Sequence, residues 1–167
     1  NCITTFFIHI LLCSACYAYN TPCVSCFYLK EVGVRELTGN NDGSRVEEYQ
    51  KNAGISKGQP WCAAFVKWCF DQAGIPTTIN GWAASAHNKS NLVWFKQKLI
   101  KEPRAGDTFT LYSVTLKRIS HTGFFHQRIN EALYISVEGN TNAGGSRDGD
   151  GVYMRKRSFH STYSISR

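Results

Sequence analysis

The stretch Gln59-Pro60-Trp61-Cys62-Ala63-Ala64-Phe65-Val66 begins the most regular segment of the sequence. Pro60 suits the first turn of a helix, because a proline there lacks only an N–H group that would have no helical partner. Apolar residues then recur at spacings of three and four until Gly74, a residue type that commonly ends helices. The sequence therefore predicts a helix over Trp61 to Ala73 with one buried face, and it places Cys62 in the first turn.

This position gives Cys62 a chemical advantage over an ordinary cysteine. The first backbone N–H groups of a helix are unpaired and the helix dipole is positive there, and both effects stabilise a thiolate. The same amides can donate to the oxyanion that forms when sulfur attacks an amide carbonyl. We therefore predict that Cys62 is a nucleophile. The alternative is a buried structural cysteine, which is how we interpret Cys69, two helical turns further on.

A nucleophilic thiol needs a base, and His121 is the best candidate. It lies in the most β-like segment, Ile119 to Phe125, and Gly123 on the same strand face is expected to leave space beside the imidazole for a substrate. Glu138 and Asn140 end the next predicted strand and alternate onto one face, so strand pairing would bring one of them to the imidazole. Cysteine, histidine and an acidic or amide residue are the parts of a thiol hydrolase. The alternative for His121 is a histidine satisfied within the core.

The rest of the chain predicts helices before Pro103 and strands after it. Helices are expected over Val24 to Val32, from Ser44 to Gly54, and briefly over Ala83 to Lys89; Ser44 and Glu47 have the spacing of a capping box. Strands are expected over Thr108 to Tyr112, His121 to His126, Ala132 to Val137 and Gly151 to Arg155. Helices followed by antiparallel strands indicate an α+β fold.

The charge of the chain favours an anionic partner. The 167 residues include 19 basic and 12 acidic side chains, which give a net charge of +7. Nucleic acid, a membrane surface or a bacterial cell-wall polymer would all suit such a charge. No pattern typical of nucleic-acid binding is present in the sequence, so we do not expect nucleic acid as a partner. The basic residues are scattered apart from Arg155-Lys156-Arg157, which we interpret as a solvated strand end.

Residues 1–18 differ from the remainder of the sequence. They are rich in apolar residues and end in Cys16-Tyr17-Ala18, with small residues suited to cleavage after Ala18. We interpret this segment as all or part of an export signal, and residues 19–167 as one domain with no stable membrane span. The alternatives are lipidation at Cys16 and a buried first helix.

No metal or cofactor is expected. The pairs Cys13/Cys16 and Cys23/Cys26 are separated by only six residues, which is short for a zinc site, and the first pair lies in the expected signal. Cys23 and Cys26 are interpreted as incidental small apolar residues, with a local disulfide as the alternative. The turn-rich loop from Thr38 to Gly43 lacks the acidic ligands of a calcium loop and is interpreted as structural.

Several of these segments together resemble the cysteine, histidine-dependent amidohydrolases/peptidases, the CHAP family, which are related to NlpC-type and papain-like enzymes. The resemblance extends from about Tyr28 to Arg157. Its motifs are Glu31-Val32-Gly33-Val34-Arg35-Glu36, Gly58 to Val66, Ala105-Gly106-Asp107, His121-Thr122-Gly123-Phe124, Val137-Glu138-Gly139-Asn140-Thr141 and Gly149-Asp150-Gly151-Val152-Tyr153. The combination of these motifs in this order is specific, whereas each motif alone is weak.

The resemblance implies a papain-like α+β fold in which Cys62 is the nucleophile, His121 the base and Glu138 the residue that orients the base. It implies that Asn140 assists the histidine or lines the pocket, and that Gln59 is a possible oxyanion donor. Aromatic walls for a substrate are expected from Trp82 and Tyr112, while Trp61 is expected in the core and Asp107 in a structural role.

Family substrates are amide bonds of bacterial peptidoglycan, either between muramic acid and L-alanine or within the peptide. The resemblance thus implies a peptidoglycan hydrolase, secreted or held in the cell envelope, and we expect a monomer. The alternatives are a catalytically silent module that binds the cell wall, and an antibacterial toxin with the same chemistry.

Overall fold

The segment that begins at Trp61 forms the central helix of the protein. The computed structural model describes residues 23–144 and 149–167, so the expected export signal lies outside the described residues. The helices are α1 (Val24–Lys30), α2 (Ser44–Asn52) and α3 (Cys62–Gln72). Trp61 is the N-cap of α3 and Ala73 its C-cap, as the apolar spacing predicted to within one residue. Gly74 follows with a φ of 65°, the left-handed conformation that ends many helices.

The beginning of α2 differs from the prediction. Ser44 is the first helical residue rather than the cap, and the cap is Gly43, with a φ of 102°. No side chain makes a capping hydrogen bond, so the predicted capping box is wrong; the Glu47 N–H instead donates to the Gly43 carbonyl oxygen at 2.8 Å. A Cβ atom at Gly43 would lie 3.2 Å from the Leu37 nitrogen, which together with the positive φ favours glycine.

An antiparallel sheet of seven strands packs against the helices in the described residues, which confirms the α+β prediction. Its spatial order is β2-β1-β7-β3-β4-β5-β6. The strands are β1 (Leu92–Phe95), β2 (Lys98–Leu99), β3 (Thr108–Ser113), β4 (Arg118–Arg128), β5 (Leu133–Thr141), β6 (Gly151–Ser158) and β7 (Ser164–Ser166). The four predicted strands are β3 to β6, and β1, β2 and β7 were not predicted. Short 3-10 turns replace the helix expected over Ala83 to Lys89.

The sheet separates two apolar clusters. Adjacent residues of β4 point to opposite faces, so Phe124 packs with the helices and Phe125 packs on the far side. The helical cluster includes Tyr28, Tyr49 and Phe65, which are fully buried. Among the described residues, no helix is long and apolar enough to cross a membrane.

Candidate active site

Cys62 lies at the first position of α3, is 7% exposed and lines a cleft. Burial alone would raise the pKa of its thiol. Interaction with His121, the charge of that imidazole and the backbone of Thr122 and Ala63 together outweigh burial and leave the pKa of Cys62 below its ordinary value. His121 is thus the main influence that favours the thiolate, and the backbone of Ala63 at the helix start adds to it.

His121, in β4, interacts with the Cys62 thiol and is 5% exposed. Burial lowers the pKa of the imidazole, but its contacts with Cys62 and Glu138 raise that pKa to about 9. The Nε2 atom lies 2.7 Å from Glu138 Oε2, which leaves Nδ1 for the thiol. Because the pKa of His121 is raised and that of Cys62 is lowered, the pair favours a thiolate and an imidazolium near neutral pH.

Glu138, in β5, is fully buried and holds the other side of the imidazole. Burial raises the pKa of its carboxyl, but Arg157 and His121 lower it to about 2. Arg157 donates from Nε to Oε1 at 2.7 Å and from Nη2 to Oε2 at 2.5 Å, in the two-pronged geometry typical of arginine with a carboxylate. The Ser136 hydroxyl also donates to Oε1. The carboxylate is therefore ionised and fixed in place.

Arg157 corrects the interpretation of Arg155-Lys156-Arg157 as a solvated strand end. Its side chain is only 16% exposed, and it pairs with a fully buried carboxylate. Arg157 lies opposite Tyr134 in the pairing of β6 with β5, so it shares a sheet face with Ser136 and Glu138. The strand register is the signal that would have identified it, and the register was not apparent from a run of three basic residues.

Gly123 also has a different role from the predicted one. A Cβ atom there would lie 2.8 Å from the Val137 carbonyl oxygen, 2.9 Å from Glu138 Cγ and 2.9 Å from the Phe109 ring. The space beside the imidazole is therefore filled by Glu138 and Phe109, and it is not open to a substrate. The missing side chain of Gly123 allows Glu138 to reach His121.

Asn140 does not share the position of Glu138, because the pairing of β5 with β6 shifts between Glu138 and Thr141. Asn140 has a φ of 54°. Its Oδ1 accepts from the Trp61 N–H at 3.1 Å, and its Nδ2 donates to Asn41 Oδ1 at 3.0 Å and to the Gly149 carbonyl at 3.2 Å. Of the two predicted orienting residues, Glu138 thus contacts the imidazole, while Asn140 ties the start of α3 to the sheet and also lines the cleft.

Trp61 is held through its side chain as well as through its backbone N–H. It is fully buried, as predicted, and its Nε1 donates to Glu36 Oε1 at 2.8 Å. The other oxygen of Glu36 accepts from the Asn41 N–H at 2.9 Å. Two polar side chains that the sequence did not assign to the site, Glu36 and Asn41, therefore help to position the residue that precedes Cys62.

The cleft above Cys62 encloses about 180 Å³. It contains the predicted residues Gln59 and Trp82, and Trp82 is 66% exposed. Tyr112 instead stacks on Tyr163, with ring centroids 5.4 Å apart, and does not line the cleft. The lining residues are Ile55, Gln59, Pro60, Cys62, Gly81, Trp82, Ala83, Arg118, Ile119, Ser120, His121 and Asn140.

Asp107, His126 and Cys69 lie outside the cleft. Asp107 is 4% exposed and accepts from the Arg104 N–H at 2.8 Å and from Arg167, which agrees with a structural role. His126 Nδ1 lies 2.9 Å from the Tyr28 hydroxyl. Cys69 is buried in the core and burial raises the pKa of its thiol well above the ordinary value, as expected for a structural cysteine.

The loop and the cysteine pair near the N-terminal end of the described residues also lie apart from the cleft. The Asp42 carboxylate accepts from the Thr38 N–H at 2.9 Å, so it organises the loop. The sulfur atoms of Cys23 and Cys26 are 2.7 Å apart as thiols. Within residues 23–144 and 149–167, no group of three or more histidine, cysteine, aspartate or glutamate side chains is arranged to hold a metal ion. Cys13 and Cys16 lie outside the described residues.

No protein-family model, curated protein or solved structure matches the chain. The described residues form an α+β structure in which Glu138 is hydrogen-bonded to His121 and Arg157, and Cys62 interacts with His121 beside a cleft.

Proposed function

We propose that the protein is a cysteine hydrolase that cleaves an amide bond of bacterial peptidoglycan. One observation carries the chemistry: the thiol of Cys62 lies at a helix start beside His121, and its pKa is lowered despite burial. A buried structural cysteine has the opposite shift, as Cys69 of the same helix illustrates. The contrast between two cysteines on one helix supports a reactive role for Cys62.

The proposed mechanism begins with the thiolate of Cys62 and the imidazolium of His121. Sulfur attacks the carbonyl carbon of the amide and forms a tetrahedral oxyanion, which amides at the start of α3 stabilise. His121 then gives its proton to the leaving amine, and a thioester remains on Cys62. His121 next takes a proton from water, the resulting hydroxide attacks the thioester, and the carboxylic acid product leaves as the thiolate is restored.

Glu138 and Arg157 act behind the imidazole in this scheme. Glu138 accepts a hydrogen bond from the Nε2–H group of His121 and therefore fixes the tautomer and ring orientation of the imidazole. Arg157 keeps Glu138 ionised, so Glu138 does not remove that proton from the ring. Gln59 and Trp82 line the cleft and are the proposed contacts for the oxyanion and for the substrate, respectively.

Peptidoglycan is proposed as the substrate for two reasons. The ordered motifs around Cys62, His121 and Glu138 resemble those of the CHAP family, whose papain-like fold we propose for this chain. The net charge of +7 also suits an anionic polymer. If residues 1–18 are an export signal, the protein reaches the cell envelope or the medium, where this polymer lies. Both an N-acetylmuramoyl-L-alanine amidase and a peptide endopeptidase are consistent with the proposal.

Digestion of purified peptidoglycan tests the proposal. The wild type, Cys62→Ala and Cys69→Ala are incubated with the polymer, and soluble fragments are analysed by mass spectrometry. We expect fragments from the wild type and Cys69→Ala and at least a thousandfold less from Cys62→Ala, since the nucleophile is lost. Cys69→Ala is the matched control, because it makes the same substitution two turns along the same helix.

The fragments also identify the bond. Release of intact stem peptides indicates an amidase, and new amino termini within the peptide indicate an endopeptidase. Equal release by the wild type and Cys62→Ala would contradict the mechanism. Sedimentation of both proteins with the polymer, without any fragments, would instead favour the silent wall-binding module.

A further inference from the structure

Arg118 is the one permanently charged side chain among the residues that line the cleft. It begins β4, three residues before His121, and it is exposed. Within the described residues it has no ion pair or hydrogen bond from its guanidinium. Four other arginines among the described residues pair with carboxylates: Arg45 with Glu31, Arg128 with Glu102, Arg157 with Glu138 and Arg167 with Asp107.

The charges around Cys62 leave that of Arg118 uncompensated. In the proposed ion pair the thiolate of Cys62 balances the imidazolium of His121, and Glu138 balances Arg157. No aspartate or glutamate lines the cleft. A single positive charge at the wall of a concave site raises the local concentration of anions, because the low-dielectric walls focus its field. The cleft is therefore suited to a substrate that carries negative charge close to the reacting atoms.

We propose that Arg118 binds a carboxylate of the substrate next to the scissile amide. A guanidinium donates two parallel N–H hydrogen bonds to a carboxylate, so it would both attract and orient such a substrate. The ligand class is a peptide with a free carboxyl group beside the bond that is cut; the same peptide with that carboxyl amidated would bind poorly. This inference rests on the proposed function, because it requires a reactive Cys62 in the cleft.

A pair of alkylating reagents tests the inference without a known substrate. Iodoacetate and iodoacetamide react with a thiolate in the same way: sulfur displaces iodide and a carbon–sulfur bond forms. They differ in that one carries a carboxylate and the other a neutral amide. The rate of each reaction at Cys62 is followed by mass spectrometry of the peptide that contains it, for the wild type, Arg118→Gln and Lys117→Gln. Lys117 is an exposed neighbour that does not line the cleft.

We expect Arg118→Gln to lower the ratio of the iodoacetate rate to the iodoacetamide rate by about three- to tenfold, because the attraction of one nearby charge is lost. Lys117→Gln should leave the ratio close to that of the wild type. The difference between the wild type and Arg118→Gln should shrink in high salt, since ions screen an exposed charge. The iodoacetamide rate alone should change little in either variant.

A second experiment uses peptide substrates whose sequences are taken from the peptidoglycan fragments. With matched peptides that carry a free or an amidated carboxyl beside the scissile bond, Arg118→Gln should raise KM for the free carboxylate and leave kinetics on the amidated peptide unchanged.

The alkylation rates distinguish the proposed role of Arg118 from the proposed hydrolase function. Fast alkylation of Cys62 with a ratio that Arg118→Gln does not alter would overturn the role of Arg118 and leave the proposed hydrolase standing. Alkylation of Cys62 by both reagents no faster than that of the buried Cys69 would overturn both.

Discussion

Cys62 and His121 shift each other's pKa in opposite directions, and this coupling is the central property of the site at the scale of residues. The pKa of Cys62 is below its ordinary value and that of His121 is raised to about 9. The thiolate–imidazolium pair therefore exists between a lower limit set mainly by the thiol and an upper limit set mainly by the imidazole. Burial opposes both charges, so the pair depends on the hydrogen bonds that each partner makes.

The coupling predicts the pH dependence of hydrolysis. We expect kcat/KM to rise as Cys62 loses its proton, to stay high through neutral pH, and to fall above about 9 as His121 loses the proton that the leaving amine needs. The profile of kcat/KM from pH 4 to pH 10.5 measures this. The wild type is compared with Cys69→Ala, which should give the same limits. A rate that only rises, with its midpoint at the ordinary pKa of a thiol, would contradict the ion pair.

The sequence predicted Cys62, His121 and Glu138 because each lies in a short local pattern: a helix start, a β-like segment and a strand end. It did not predict Arg157, which reaches Glu138 only through the register of β6 on β5. It also did not predict that Gly123 leaves room for Glu138, because the space beside a glycine is determined by neighbouring strands. Local patterns thus identified the residues of the candidate site, while long-range pairing determined how those residues are supported.

At the scale of elements, the end of β5 and the start of α3 form one unit. Glu138 contacts His121, and two residues later Asn140 accepts from the N–H of Trp61, the N-cap of α3. The pairing shift between Glu138 and Thr141 makes both contacts possible, because regular alternation would direct Glu138 and Asn140 to the same face. β5 and α3 are therefore joined next to Cys62 and His121.

Substitution of Asn140 tests the contact between the end of β5 and the start of α3. We expect Asn140→Ala to lower the free energy of unfolding by about 1–3 kcal/mol, since the Trp61 N–H loses its acceptor and the oxygens of Asn41 and Gly149 lose their donor. We also expect it to lower kcat as the helix start becomes less fixed. Asn140→Gly loses the same hydrogen bonds but relieves the cost of a φ of 54°, so it should be less destabilised than Asn140→Ala. Urea unfolding and hydrolysis rates measure both effects. Wild-type stability in both variants would contradict the role of the side chain.

The helices and central strands were predictable because they have strong periodic patterns and clear ends. α3 matched its prediction to within one residue at each end. The strand β7 has only three residues, Ser164–Ser166, and a single apolar side chain, so no local pattern marks it. It is a strand because β1 and β3 pair with it from both sides. The capping box at Ser44 failed for a related reason, since contacts with Leu37 favour Gly43 as the cap.

At the scale of the whole molecule, the buried ionised groups link the chemistry of the site to the stability of the fold. Glu138 is fully buried, and its charge is tolerated only because Arg157, His121 and Ser136 contact it. The carboxylate joins β5 to β6 through Arg157 and to β4 through His121. Loss of this one charge would therefore weaken contacts among three strands at once.

Acid unfolding tests this linkage. The pKa of Glu138 falls from 4.5 to about 2 on folding, so its contribution to stability is fully present above pH 4.5 and is lost as the pH falls towards 2. One pKa unit corresponds to about 1.4 kcal/mol. We expect the free energy of unfolding of the wild type to fall by a few kcal/mol over this range. Glu138→Gln should be less stable at neutral pH and should show a shallower fall, because the group that takes up the proton is absent.

Two further variants make the measurement specific to Glu138. Glu102→Gln removes a carboxylate whose side chain is 60% exposed and whose partner is Arg128, so it should keep the wild-type slope, since exposed pairs contribute little. Arg157→Gln removes the partner of Glu138; the pKa of the carboxyl should rise, and the loss of stability should begin at a higher pH. Urea unfolding between pH 2 and pH 7 provides the slopes. If Glu138→Gln kept the wild-type slope, other carboxylates would control acid unfolding, and the ionised Glu138 would not connect the site to the stability of the sheet.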